Sequence, residues 1–375
     1  MSVAWLPTAG AGRLSVLLSF VFFALGVCRG VLGETILLTR LVSGSTVKLA
    51  ARSEMLGAAL AIGLFFGVPI AAVAESLAHA GWVSIGIGLG FAAVVVQDTV
   101  RYMFFAQMQA HRAFVNDLVW LGTFVVFLAS SRSNRSPGFL LLEWVAAGSL
   151  AAVFGGWQLK AHPRLAAATT VLRGYASVGA KIGGEFLVVA GLPQALIAIV
   201  GLRGALDGAA AYRLATTLLT PAGVIVVGVI TAIQPSCVRH AADPDRLRSY
   251  FLRALAIGTF AVLACLVVVW AAPVGLGRRL LGPTYPHGRM LCLPLGLAGI
   301  CQSASAAANL VVRARGRVID ALRIRIGIGV VCLAAVLAAP SASASAVAWT
   351  YTICSGLVFA GLLLSPALRF RASLG

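Results

Sequence analysis

Charge is what this chain has least of. Asp, Glu, Lys and Arg make up 11% of its 375 residues, whereas an ordinary soluble domain carries about 25%. So few ionisable groups cannot cover the surface of a water-soluble fold of this length. Lysine is confined to Lys48, Lys160 and Lys181. The net charge of +18 is therefore almost all arginine, and it lies in short gaps between apolar runs. No Lys/Arg tract or aromatic-basic platform accompanies it, which argues against a nucleic-acid partner.

Chemical motifs are missing too. None of the seven cysteines forms Cys-x-x-Cys or a Cys/His cluster at zinc spacing. Most of them (Cys28, Cys265, Cys292, Cys301, Cys332, Cys354) stand inside apolar runs as small hydrophobic residues. The five histidines are isolated, so no metal is expected. There is no nucleotide-binding phosphate loop, no His-Glu-x-x-His and no Gly-x-Ser-x-Gly elbow. The close acidic pair Asp243 and Asp245, in RHAADPDRLRSY, reads as a turn leading into a helix. The expectation is a protein with no cofactor that moves a substrate instead of transforming it.

What is abundant is apolar sequence: 60% hydrophobic residues and a mean hydropathy of +0.97. A membrane-crossing helix needs about 20 predominantly apolar residues. Eleven runs qualify, at 14–36, 54–75, 80–105, 114–130, 138–158, 179–201, 208–235, 250–272, 287–312, 322–340 and 343–367. The fourth is the shortest and carries Asp117 near its start. The first resembles a signal peptide only superficially, because Arg13 is the sole basic residue before it and apolar character continues to Leu38. It reads as a retained helix. The fold class is thus an all-α integral membrane protein.

Basic residues alternate between the gaps. Arg52, Arg101, Arg112, Lys160, Arg164, Arg239, Arg246, Arg315, Arg323 and their neighbours put 20 of the 29 Lys and Arg in one set of gaps. The other set holds Arg13, Arg132, Arg135, Arg203, Arg278, Arg279 and Arg289. Cytoplasmic loops collect Lys and Arg, so the N-terminus is expected outside and the C-terminus in the cytoplasm.

An internal repeat follows. Arg112, Val115 and Asp117 match Arg315, Val318 and Asp320 at an offset of 203, after spans three and nine. Six spans between copies imply parallel halves related by an axis along the membrane normal. Spans one to five then pair with seven to eleven, which leaves span six without a partner at the front of the chain. The expected organisation is a five-span bundle at 1–160, a cytoplasmic linker at 161–178 and a six-span bundle at 179–375. It is a 6 + 6 design whose first helix is absent, through a misassigned start codon or a truncated chain.

Polar residues in and beside the spans are the candidate substrate path: Arg29, Glu34, Asp98, Arg101, Asp117 and Arg213. Asp98 and Arg101 are three apart on one helical face. Arg29 is expected ~10 Å inside span one at 1.5 Å per residue, where an arginine usually faces a cavity or a partner. Glu34, five residues on, is poorly placed around the helix to be that partner. Arg213 lies near the opposite end of its own span. Two such arginines suit an anionic headgroup such as a phosphate or pyrophosphate. The bland alternative is that these arginines reach the lipid headgroups and the aspartates pair with them or cap helices. Lys181 and Glu185, spaced i, i+4, read as a local pair.

Several stretches resemble the polysaccharide-exporter branch of the multidrug/oligosaccharidyl-lipid/polysaccharide flippase superfamily. They are CRGVLGETILL at 28–38, QDTVRYMFFA and AFVNDLVW within 97–120, AAYRLATTLLTPAGVI at 210–225 and RRLLGPTYPHGR at 278–289. The resemblance implies two helical lobes that flip or export lipid-linked oligosaccharide and other polysaccharide precursors across a bacterial cytoplasmic membrane by alternating access. It places the six candidates at family-like polar positions. It also implies membrane lipid, an anionic lipid-linked saccharide and polysaccharide-biosynthesis proteins as partners. A major-facilitator-like transporter is the alternative, although its Asp-Arg-x-Gly-Arg type of turn is missing near 37–53. A non-transporting membrane partner of a polysaccharide synthase is a third reading.

Overall fold

The computed structural model describes residues 6–36, 49–79, 81–131, 136–339, 343–365 and 368. Among these residues the chain is helical, with no strand. Helix α1 (Thr8–Cys28) continues through a π-helical segment (Arg29–Glu34). It is followed by α2 (Leu49–Ala78), α3 (Trp82–Ala106), α4 (Ala110–Ser130), α5 (Pro137–Leu159) and a single turn at Leu165–Ala167. Helix α6 (Ala168–Val189) runs into α7 (Gly191–Leu202). Then come α8 (Leu206–Arg239), α9 (Pro244–Ala271), the short α10 (Val274–Leu281), α11 (Tyr285–Ala314), α12 (Val318–Ala338) and α13 (Ala344–Leu364). Ten of these elements are long and apolar enough to cross a membrane, and α6 with α7 makes an eleventh if that bent pair is one span. In hydrocarbon no water can satisfy the backbone, so each span bonds its own N–H and C=O groups as a helix.

Caps fall where the sequence provides them. Ser136 accepts a hydrogen bond from the Phe139 N–H, with Pro137 as the first helical residue. Asp243 accepts from the N–H groups of Asp245 and Arg246, with Pro244 in the same role. The RHAADPDRLRSY turn is therefore a helix cap.

The sixth span falls where expected, as the apolar pair Gly179–Val189 and Gly191–Leu202, which is bent by 46°. The helix that carries it begins earlier, at Ala168, inside the supposed linker. Pro193 accounts for the position of the bend, because a proline ring excludes the carbonyl four residues back, here that of Val189.

The chain divides into two compact units, Ala4–Ala198 and Ile199–Gly375, so the division falls inside α7 and not at 161–178. The reason is glycine packing. Helix α6 lies against the π-helical segment, α1 and α2. A Cβ on Gly30 would come within 2.7 Å of the Gly183 Cα, and one on Gly179 within 2.8 Å of the Val31 carbonyl oxygen. Small residues of this kind let helices approach backbone to backbone in a membrane. Span six thus groups with spans one to five.

The repeat stands, at a different offset. Helices α3 and α4 meet between Ala106 and Ala110, and α11 and α12 between Ala314 and Val318. Both pairs of positions are 208 residues apart. The 203-residue match aligned Arg112, in the first turn of α4, with Arg315, which ends α11. Helices α3 and α11 hold equal places in their units, and each is the central one, its apolar stretch the most buried among the spans of its unit.

Candidate functional site

Four of the six predicted residues meet in the first unit. Arg29 donates from Nε to Asp98 Oδ2 at 2.8 Å and from Nη2 to Asp98 Oδ1 at 2.9 Å. Arg101 Nη1 donates to the same Asp98 Oδ1 at 3.1 Å. Its Nε lies in ion-pair contact with Asp117 Oδ1 at 3.2 Å. Gln97 carries the chain onward, donating from Nε2 to Asn116 Oδ1 at 2.8 Å and to Asp117 Oδ1 at 3.1 Å. Asn116 then donates to the Ala151 carbonyl of α5 at 2.7 Å. One polar network thus links α1, α3, α4 and α5.

Local sequence builds this geometry. The π-helical segment puts Arg29 at the widened end of α1, and Thr35 Oγ1 donates to the Gly30 carbonyl five residues back. Such segments recur at functional sites. Gly33 faces the Tyr102 ring so closely that a Cβ would stand 2.6 Å from it. That lack of a side chain lets α1 lie against α3 and brings Arg29 to Asp98. On α3, Gln97, Asp98 and Arg101 share one face by their i, i+3 and i, i+4 spacing.

The cluster holds two guanidiniums and two carboxylates. Arginine stays protonated in proteins, so opposed carboxylates are what make its burial tolerable. The two-pronged contact between Arg29 and Asp98 is the strong form of such a pair. Asp98 is closed off, its side chain 4% exposed, while the side chains of Arg29 and Arg101 remain 33% and 28% exposed. Asp117, at 39%, is exposed as well, so Asp98 is the one charged group of the cluster that is closed off.

Other residues fall elsewhere. Glu34 ends the π-helical segment, half-buried. Arg213 is buried on α8, in the second unit, where its carbonyl accepts from the hydroxyls of Thr216 and Thr217. On α6, Lys181 is exposed and Glu185 buried. Sequence reading passed over Gln97 and Asn116. Their adjacency to Asp98 and Asp117 was the available signal. Among the described residues, no three His, Cys, Asp or Glu side chains gather to hold a metal ion.

No family model matches the chain, and no curated protein matches it. Solved structures do. An inward-facing multidrug resistance MATE family transporter of the MOP superfamily superposes with a TM-score of 0.68 at 14% identity, over 96% of this chain and 90% of that one. The chain has the fold of the MOP superfamily transporters. A MOP superfamily transporter from Pyrococcus furiosus gives 0.63 at 15% identity, over 96% and 87% of the two chains. The lipid II flippase MurJ, in an inward closed conformation, gives 0.62 at 12%, over 94% and 85%. Within this MOP fold the repeat extends to the polar contacts. Gln97 and Asp117 of the first unit fall, 208 residues on, at Ser305 and Arg325 of the second. There Arg325 Nη2 donates to the Ser305 carbonyl at 3.4 Å. The polar link between central helix and following helix occurs at the same place in both units, made by different residue types.

Proposed function

We propose that this protein moves an anionic, lipid-linked saccharide precursor across the bacterial cytoplasmic membrane by alternating access, with its N-terminus outside and its C-terminus in the cytoplasm. The observation that carries the reading is the Arg29 guanidinium, held by Asp98 in two-pronged contact yet one-third accessible within a membrane-spanning unit. Ionisable residues inside spans mark substrate or ion paths by default, and a guanidinium fork takes a phosphate as readily as a carboxylate. In this reading a phosphate or pyrophosphate competes with Asp98 for Arg29, while Asp98 keeps Arg101. Each guanidinium thereby retains an anionic partner throughout. The MOP fold, which MurJ shares, supports the lipid-linked class, and it replaces the major-facilitator alternative.

The test is a strain lacking the gene, in which lipid-linked oligosaccharide and surface polysaccharide are both measured. Precursor should accumulate on the cytoplasmic side while surface polymer falls. Wild-type protein should reverse both changes. Arg29→Lys keeps the charge but loses the fork, so it should reverse neither fully while remaining folded in detergent. Equal rescue by Arg29→Lys and Arg29→Gln would refute the role of Arg29. Unchanged levels of both polymers in the deletion strain would refute the substrate class. A non-transporting partner of a synthase is set apart by reconstitution, since such a protein moves no precursor in purified vesicles.

A further inference from the structure

A cavity of about 940 Å³ opens on the first unit, and none of the four ion-pair residues lines it. Its walls are apolar, formed by Leu56 and Leu60 of α2, Val96 of α3, and Val153 and Trp157 of α5. Its lining ends in three cationic or cation-capable side chains, Arg112, Lys160 and His162, all exposed, and includes no carboxylate. Apolar length with a positive end is the shape of a site for an anionic amphiphile. Basic pockets between membrane helices bind anionic lipid headgroups, and the volume lies within the range of about 300–1,000 Å³ usual for small-molecule sites.

Lys160 adds a second observation. It ends α5 in the left-handed conformation, with φ of 53°, where glycine is the usual residue because a Cβ is strained there. The chain nonetheless carries a lysine, which puts an ammonium at the cavity mouth. The loop that follows is pinned in place. Arg52 Nη1 donates to the Leu159 carbonyl at 3.3 Å, and the Arg164 N–H donates to the Ser53 carbonyl at 2.9 Å.

We infer that this cavity holds a resident anionic glycerophospholipid, with its phosphodiester on Arg112 and Lys160 and one acyl chain along the α2–α5 wall. The inference does not depend on the transported substrate, because lipid occupancy is measured without transport.

The experiment is a native mass-spectrometric titration of the purified full chain with phosphatidylglycerol and, separately, with phosphatidylcholine. Wild-type protein should bind phosphatidylglycerol more tightly. Lys160→Gly removes the charge while relieving the strained backbone, so it should fold at least as well and weaken phosphatidylglycerol about fivefold; adding Arg112→Gln should bring the loss to about 25-fold. Phosphatidylcholine binding should not change. Val153→Trp, which fills the groove from its exposed side, should reduce bound lipid of both kinds. Equal affinities for the two lipids, or unchanged phosphatidylglycerol binding in the charge variants, would overturn the inference. So would displacement of phosphatidylglycerol by undecaprenyl pyrophosphate at matching concentration, which would make the cavity part of a substrate path.

Discussion

Replacing Asp98 by alanine removes the acceptor of three guanidinium hydrogen bonds at once. Stripping one partner from a buried ion pair costs about 3–5 kcal/mol, because the remaining charge is left uncompensated. The full figure would apply if all three groups were sealed. Arg29 and Arg101 are 33% and 28% exposed, so water recovers part of their solvation. The expected loss is about 2–3 kcal/mol. For a unit of this size, ~1 kcal/mol shifts the melting temperature by roughly 2–4 °C, which places the fall at roughly 4–12 °C. The assay is thermal unfolding of the purified protein in detergent, followed by tryptophan fluorescence, since Trp120 and Trp144 lie in tilted ring contact within the same unit, on the helices that carry Asn116 and Ala151. Arg29→Gln and Asp98→Asn, made singly and together, form a double-mutant cycle. The neutral pair should recover part of the loss, with a coupling of about 1–3 kcal/mol. A fall below roughly 0.5 kcal/mol for Asp98→Ala, or strict additivity in the cycle, would show that the guanidiniums are already solvated and that the cluster is not a buried pair.

Three further outcomes are expected. Gly30→Val should destabilise by about 1–3 kcal/mol, since its Cβ meets the Gly183 backbone at 2.7 Å, whereas Gly184→Ala, with nothing within 4 Å, should be close to neutral; paired melting curves decide this, and equal effects would contradict the close contact of α6 with α1. Asn116→Ala, at a fully buried position, strips a partner from Gln97 and from the Ala151 carbonyl. It should cost about 1–3 kcal/mol, and Asn116→Asp more, because a buried carboxylate oxygen would then face the Ala151 carbonyl; the same unfolding assay reads both, and a smaller loss for the aspartate would contradict the buried donor. A reporter active only outside the cell should work when fused at Ser136 and fail at Pro163; the reverse pattern would invert the proposed orientation.

Much of the candidate cluster was legible because charge is rare in this chain. With 11 acidic residues in 375, any carboxylate beside an arginine near a span end stands out, and Asp98, Arg101 and Asp117 did. What could not be read was the partner of Arg29. Asp98 lies 69 residues away, and the contact depends on the close approach of α1 to α3 at Gly33. Glycine in sequence marks only permission for such an approach. Gln97 and Asn116 went unnoticed for a related reason: a neutral amide inside a span has no charge to advertise it, and its role depends on which helix lies opposite. Arg40, Lys48, Arg132, Arg135, Arg369 and Arg371, which entered the charge count, lie outside the described residues.

Hydrophobic length alone determined that this chain is a bundle of about 11 spans, because hydrocarbon leaves each run of ~20 apolar residues little choice but a helix. The sequence suggested a repeat as well, through three identities in the turns after spans three and nine. Tertiary structure decided the rest. Which bundle owns the sixth span depends on Gly179 and Gly183 meeting the π-helical segment across the helix surface. The repeat offset is 208 and not 203 because helix ends, not short identities, define equivalent positions. Helices uniformly apolar around their circumference carry no stripe to say which face turns inward. Only the packed small residues and the buried ion pair single out one arrangement.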